Sequence, residues 1–181
     1  MRLEELIGML LEKLDPVPDR PGLAETPARV ARAWREWTSG YDASVYAIMT
    51  TFGDGAEDVD EMVVVRDIPF YSHCEHHLAP FFGTVTIAYI PNGRIVGLSK
   101  LNRLVDVYAR RLQVQERITT QIADAIMEHL TPLGCGVVVS ARHLCMESRG
   151  IKQQGHSTRT SALRGVFKEQ ESTRREFLRM I

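Results

Sequence analysis

The sequence predicts an α+β fold, and three observations carry that prediction. Apolar residues recur at intervals of three and four in several stretches, the mark of amphipathic helices. Elsewhere apolar residues alternate with polar ones, or run together between turn residues, as strands do. The two kinds of segment are grouped along the chain. After two N-terminal helices the order is strand, strand, helix, helix, strand, strand and a terminal helix, which fits an α+β domain. No repeat or low-complexity segment is evident, and 181 residues suffice for one well-packed domain.

Leu3, Leu6, Ile7, Leu10, Leu11 and Leu14 form the stripe of the first helix, which Asp15-Pro16-Val17-Pro18 ends. Thr26 reads as the N-cap of the second helix with Pro27 at its first position, and Val30, Ala33, Trp34 and Trp37 mark a face packed in a core. Gly53 to Asp60 is acidic and contains glycine, so it is predicted to be a surface loop before a first strand from Met62 to Ile68. Thr84 to Ile90 alternates as a half-buried strand. Pro91-Asn92-Gly93 then turns the chain into Ile95-Val96-Gly97-Leu98. Ser99 is placed to cap the next helix, whose stripe is Leu101, Leu104, Val105, Tyr108 and Leu112. Val114, Ile118, Ile122, Ile126 and Leu130 mark another helix. Two more strands follow, Gly136 to Leu144 and Thr160 to Lys168. Thr173-Arg174-Arg175-Glu176 is a capping-box pattern that opens the last helix. Residues 1–60 are thereby read as an N-terminal helical region and 61–181 as the core of one functional domain.

Charged residues make up 25% of the chain yet leave a net charge of −1, so electrostatic attraction to nucleic acid or to a membrane is not expected. Three cysteines, an odd number, come without a signal peptide or a long apolar run. That usage predicts a soluble, cytoplasmic protein with reduced thiols.

Two of those thiols stand among imidazoles. Cys74-Glu75-His76-His77 is answered much later by His143-Leu144-Cys145, and thiolate with imidazole suits a divalent metal of borderline softness such as Zn²⁺. Cys74 and His77 are three apart, so one tight turn can aim both at one ion, with Cys145 arriving from a distant strand as a third ligand. Three ligands leave a coordination position open, which separates a zinc that activates water from one that only staples loops. The plain alternative is that free cysteines are small buried hydrophobes and that such histidines are satisfied core residues. Cys74 departs from it by lying in a polar run. Cys135, in Gly134-Cys135-Gly136-Val137-Val138-Val139, conforms to it and is expected in the core. A zinc finger is disfavoured, because no second cysteine lies two to four residues from either thiol.

Further motifs carry a resemblance. Arg20 to Val30 (RPGLAETPARV), Cys74-Glu75-His76-His77, Gly97-Leu98-Ser99-Lys100-Leu101-Asn102-Arg103, Val114-Gln115-Glu116-Arg117 and His143-Leu144-Cys145 closely resemble GTP cyclohydrolase I, in order, from about Arg20 to the C-terminus. The resemblance implies the tunnelling fold (T-fold), in which antiparallel sheets from several subunits close a barrel with helices outside, and two pentamers stack as a homodecamer with active sites between subunits. It implies conversion of GTP and water to formate and 7,8-dihydroneopterin triphosphate, the entry to folate or biopterin synthesis. It places the zinc ligands on Cys74, His77 and Cys145.

The implied reaction makes sense of the remaining motif residues. C8 of guanine is a weak electrophile, and a zinc ion can supply hydroxide near neutral pH. His143 and His76 are then the proton carriers, N7 being the atom to protonate when the imidazole ring breaks. Ser99 is the family's candidate for later chemistry at the ribose. Glu116, with Gln115, would face guanine, one carboxylate accepting from both N1 and the 2-amino group. The triphosphate would be held by Lys100, Arg103 and Arg149, by Arg29 from a neighbouring subunit, and by Arg32 one turn beyond it. His73 and His129 are expected in solvated or capping roles. The rival readings are another tunnelling-fold enzyme, such as a pterin synthase or a nitrile reductase with a cysteine nucleophile, and a zinc-stapled binding module with four protein ligands.

Overall fold

The computed structural model describes residues 1–56 and 58–181. The chain divides into two compact units, Met1–Ser39 and Gly40–Ile181.

The N-terminal unit is a helical pair, α1 (Leu3–Leu14) and α2 (Thr26–Trp37), joined through a short turn at Pro21–Leu23. Glu5 folds back so that its carboxylate accepts from the Arg2 N–H at 3.0 Å, which occupies an otherwise orphan donor at the start of α1. Asp15 closes α1, its N–H reaching the Leu11 carbonyl at 2.9 Å while its side chain accepts from the Val17 N–H. The cap of α2 is Glu25, one residue earlier than expected, so Pro27 is the second helical residue. The proline still costs nothing there, because first-turn N–H groups have no partner within a helix. Trp34 and Trp37 are not core residues. Their rings meet edge to face at 5.3 Å, and Trp37 stays 40% exposed.

The larger unit is built on a five-stranded sheet with the order β5-β2-β3-β6-β7. Its strands are β2 (Val63–Cys74), β3 (Pro80–Ile90), β5 (Leu112–Gln113), β6 (Gly134–His143) and β7 (Thr158–Gly165). All neighbours are antiparallel except β5, which runs parallel to β2. Helices α4 (Leu98–Ala109) and α5 (Gln115–Leu130) cover one face. Alternate residues of β2, β3 and β6 point there: Ile68 and Phe70, then Phe81, Val85, Ile87 and Tyr89, then Cys135, Val137 and Val139, against Leu101, Leu104, Ile118, Ile122 and Ile126. Each such side chain contributes about 1.5–3 kcal/mol by leaving water. The opposite face is covered near the Ala88 end by Phe167 of α7 (Val166–Glu169) and Phe177 of α8 (Glu171–Met180). Gly136 makes that packing possible, since a Cβ there would come within 2.7 Å of the Phe177 ring and 2.9 Å of Phe167.

Several expectations shift. The strand predicted to stop at Ile68 continues to Cys74, past an irregularity between Val65 and Ile68 where Asp67 takes a φ of 57°. Ile95–Val96 (β4) does not fold back on β3. It pairs with Thr51–Phe52 (β1), which follows the short helix α3 (Val45–Ile48). Gly97 caps α4, so Ser99 lies in the first turn and is not the cap. β7 ends at Gly165, where φ is 54° and a Cβ would meet the Leu133 carbonyl at 2.2 Å, and the chain turns helical before Lys168. α8 opens at Glu171, which leaves Thr173 buried within its first turn. The predicted loop Gly53 to Asp60 is turn and irregular backbone over its described residues, and Glu57 lies outside them. Among the described residues no helix is long and apolar enough to cross a membrane.

Candidate metal centre and catalytic site

One end of the sheet gathers the chemistry. β2 ends at Cys74 and β3 begins at Pro80, paired with His73; Phe81 pairs with His143, the last residue of β6. β5 lies beside the end of β2, with Gln113 opposite Cys74, and α5 starts two residues later. The chain between Cys74 and Pro80 is a tight turn. The Cys74 N–H bonds to the Ala79 carbonyl at 2.9 Å, and the N–H groups of His77 and Leu78 return to the Cys74 carbonyl at 3.2 and 2.8 Å. Leu78 takes a left-handed φ of 54° to close it, a conformation that costs a branched residue roughly 1–3 kcal/mol.

That turn aims two ligands at one point. Cys74 Sγ and His77 Nδ1 are 3.7 Å apart. Cys145, in the short helix α6 (Leu144–Glu147) that follows β6, brings its thiol to the same place, and the three ligand atoms lie within 4.8 Å of one another. Metal bonds of about 2.0 to 2.3 Å put tetrahedral ligands roughly 3.3–3.8 Å apart, so this donor set fits a metal ion after a small contraction. It is a set of three, among the described residues. His76 Nδ1 approaches the Cys74 sulfur at 3.9 Å from outside the trio. Burial and the neighbouring Cys74 sulfur raise the pKa of the Cys145 thiol, while Arg149 pulls it down and is thereby placed beside the trio. Cys135 is another matter. It is fully buried in the core, as expected, with its thiol pushed up to about 12 by desolvation.

His143 adjoins the trio and is held on two sides. Its ring stacks on Phe81 at 4.7 Å with only 4° between the planes, and its Nε2 is 2.8 Å from Gln115 Oε1. Burial lowers its pKa, nearby Glu116 and Glu147 raise it, and His156 lowers it again. Glu147 is buried and held in a two-point pair by Arg142 at 2.9 and 2.6 Å, which keeps its carboxyl below the usual range. A second two-point pair ties the turn to α5: Arg117 grips Glu75 at 2.5 and 3.0 Å, and Glu75 is the residue after Cys74.

The structure thus assembles Cys74, His76, His77, Gln115, Glu116, His143, Cys145 and Arg149. It does not bring Ser99 and Lys100, in the first turn of α4, to them, and Arg103 lies midway along that helix. α4 starts beside Val96, whose N–H meets the Tyr89 hydroxyl at 3.5 Å, and it ends where the Ser72 hydroxyl meets the Arg111 carbonyl. It therefore runs along β2 toward the metal turn, with Ser99 and Lys100 at the remote end of a helix about 18 Å long. Arg29 and Arg32 belong to the N-terminal unit, where Arg29 pairs with Glu25 at 2.7 Å. His73 is buried, against expectation, and desolvation lowers its pKa; His129 sits in the last turn of α5, edge-on to Tyr46 at 6.4 Å. The sequence reading missed the Glu75–Arg117 pair, the Phe81 stack and His156, which acts on His143 from a stretch without pattern. The adjacency of Arg117 to Glu116 was the one signal for the first of these.

The family model for GTP cyclohydrolase I matches residues 3–181. A curated relative from Janthinobacterium sp. (strain Marseille), named GTP cyclohydrolase 1, is 62% identical over 169 residues, covering 93% of this chain and 85% of its own. Another of that name, from Nitrosospira multiformis, is 58% identical over 93% of this chain and 88% of its own. One from Thermobifida fusca is 52% identical over 99% of this chain and 87% of its own. A match of that length and identity, on a chain whose thiols and imidazoles converge at one end of its sheet, leaves one assignment: the chain belongs to the GTP cyclohydrolase I family.

Proposed function

We propose that this chain is a zinc-dependent enzyme that converts GTP and water to formate and 7,8-dihydroneopterin triphosphate, at the entry to folate or biopterin synthesis. The observation that carries the reading is the three-ligand group Cys74, His77 and Cys145 beside an oriented His143, in a member of this family. Cys74 and Cys145 as thiolates, with neutral His77, would hold the ion. Bound there, zinc supplies Lewis acidity, which brings the pKa of a water molecule to about 7 and makes a nucleophile for C8 of guanine.

The chain's own groups do the rest. Glu116, exposed in the first turn of α5, accepts two parallel hydrogen bonds from N1–H and the 2-amino group, a donor pair that adenine lacks. It thereby turns C8 toward the metal trio. His143 delivers a proton to N7 as the imidazole ring opens, and His76 moves protons at the same site. Ser99 assists the later rearrangement through the ribose hydroxyls. Arg149 meets the triphosphate from the same chain as the metal ligands. Lys100 and Arg103 meet it from a neighbouring chain, as do Arg29 and Arg32, a division supported by the remote position of the α4 N-terminus. The site is then complete only in an oligomer, a homodecamer of T-fold barrels in which residues 61–181 form the catalytic core. Near-zero net charge supports a protein that binds neither nucleic acid nor membrane, and three free cysteines support a cytoplasmic one.

The test is to incubate zinc-loaded protein with GTP and measure formate and a pterin triphosphate. Both are expected in equal amounts. Zinc-replete oligomer that releases no formate overturns the reading.

A further inference from the structure

Gln115 is 1% exposed, and its amide can be oriented from chemistry alone. One end of the amide faces the carbonyl oxygens of Val139 at 3.1 Å and Thr158 at 3.0 Å, with the Thr160 hydroxyl at 3.2 Å. Carbonyl oxygens only accept, so that end is the NH₂. The neighbouring hydroxyls agree. Thr119 spends its one hydrogen on the backbone carbonyl of Gln115 at 2.8 Å, so Thr160 is the donor in the 2.6 Å contact between the two threonines. The Thr160 oxygen is left to accept from the amide. Both amide hydrogens are thus engaged inside the chain, and Oε1 is the end that faces His143 Nε2 at 2.8 Å.

An amide oxygen cannot donate, so the hydrogen of that contact resides on Nε2 of the imidazole. Phe81, the register partner of His143 across β3 and β6, holds the plane of the ring, and Gln115 holds its edge. We propose that Gln115 is a positioning residue that fixes His143 as the Nε2–H tautomer, so that Nδ1 is the nitrogen exchanging protons with the substrate. Base recognition then belongs to Glu116 alone of the adjacent pair. The proposal rests on the reading of His143 as the acid for N7.

The direct test is ¹⁵N solid-state NMR of the zinc-loaded protein labelled at histidine, at about pH 8 where the ring is neutral. Signals are assigned by their loss in His143→Ala. Expected are a protonated Nε2 and an unprotonated Nδ1; the reverse tautomer overturns the proposal. Kinetics give a second reading. Gln115→Met keeps the length and removes the acceptor, and is expected to lower kcat by about 10²-fold while KM for GTP stays within about threefold. A raised KM with unchanged kcat in Gln115→Met would assign the amide to guanine and overturn the proposal. Should Gln115→Met fail to fold, the wild-type spectrum still decides. His143→Ala with normal kcat overturns the acid role itself, an outcome separate from the tautomer that the spectrum reports.

Discussion

Burial treats the three thiols of this chain differently. Cys74 and Cys145 stand where a metal can stabilise the thiolate, whereas Cys135 donates to the Ala123 carbonyl at 3.4 Å and has a pKa of about 12 against an ordinary 9. A thiol raised in this way contributes stability that is whole below pH 9 and is lost as pH climbs toward 12, because the unfolded chain releases the proton first. The slope it can add is at most about 1.4 kcal/mol per pH unit. Urea unfolding across that window is expected to be less steep in pH for Cys135→Ala than for the parent, and an unchanged slope would remove Cys135 as the cause. At Glu116 the expectation concerns recognition. Glu116→Gln exchanges a charged acceptor for an amide whose NH₂ confronts the guanine donors, and a charge-assisted hydrogen bond is worth about 1.5–3 kcal/mol. Its kcat/KM for GTP is expected to fall at least about tenfold, and normal turnover would show that guanine is read elsewhere.

Elements were legible in proportion to how local their causes are. The stripes of α1, α4 and α5 follow from spacing within one segment, and those helices form where the pattern places them, except that α4 stops at Ala109 and Leu112, read as the end of its stripe, lies in β5. The partner of β4 did not follow, because a strand of two residues has too little pattern to choose between β3 and β1, and its tertiary neighbours decide. Ser99 has the chemistry of a cap, yet the extended backbone at Gly97 starts the helix earlier. The same rule holds in the site. Cys74 and His77 share a turn and could be read from their spacing, and Cys145 could be read as a third ligand from its thiol beside His143, the resemblance then placing the same three. The Glu75–Arg117 pair spans 42 positions and the Gln115–His143 contact 28, distances across which no periodicity carries information. The first of these contacts has an outcome at the scale of elements. It fastens the turn between β2 and β3 to α5, so Arg117→Ala is expected to weaken metal binding by about 10-fold, as loss of outer-shell support does at other metal sites. Competition with a chelator measures this without turnover. Unchanged affinity would reduce the pair to a surface ornament.

For the whole molecule the α+β class could be read from the order of elements, while the mode of assembly came only from family resemblance and stands as a proposal. Sedimentation is expected to give a large ring-based oligomer. The proposed sharing of the site makes a sharper demand: Lys100→Ala and Cys145→Ser chains, each weak or inactive alone, should regain activity when dissociated and reassembled together, since some junctions would pair an intact α4 with an intact metal trio. No recovery in verified mixed oligomers would place the whole site in one chain. The remote N-terminus of α4 has a further consequence for a population of chains. Where every site needs one sound contributor on each side of a junction, the surviving sites in a random mixture scale as the square of the sound fraction if the defective chain lacks both contributions. They scale only linearly if it lacks one. A chain carrying both lesions would thus act as a poison out of proportion to its abundance, and the curvature of activity against mixing ratio would count how many chains build each site.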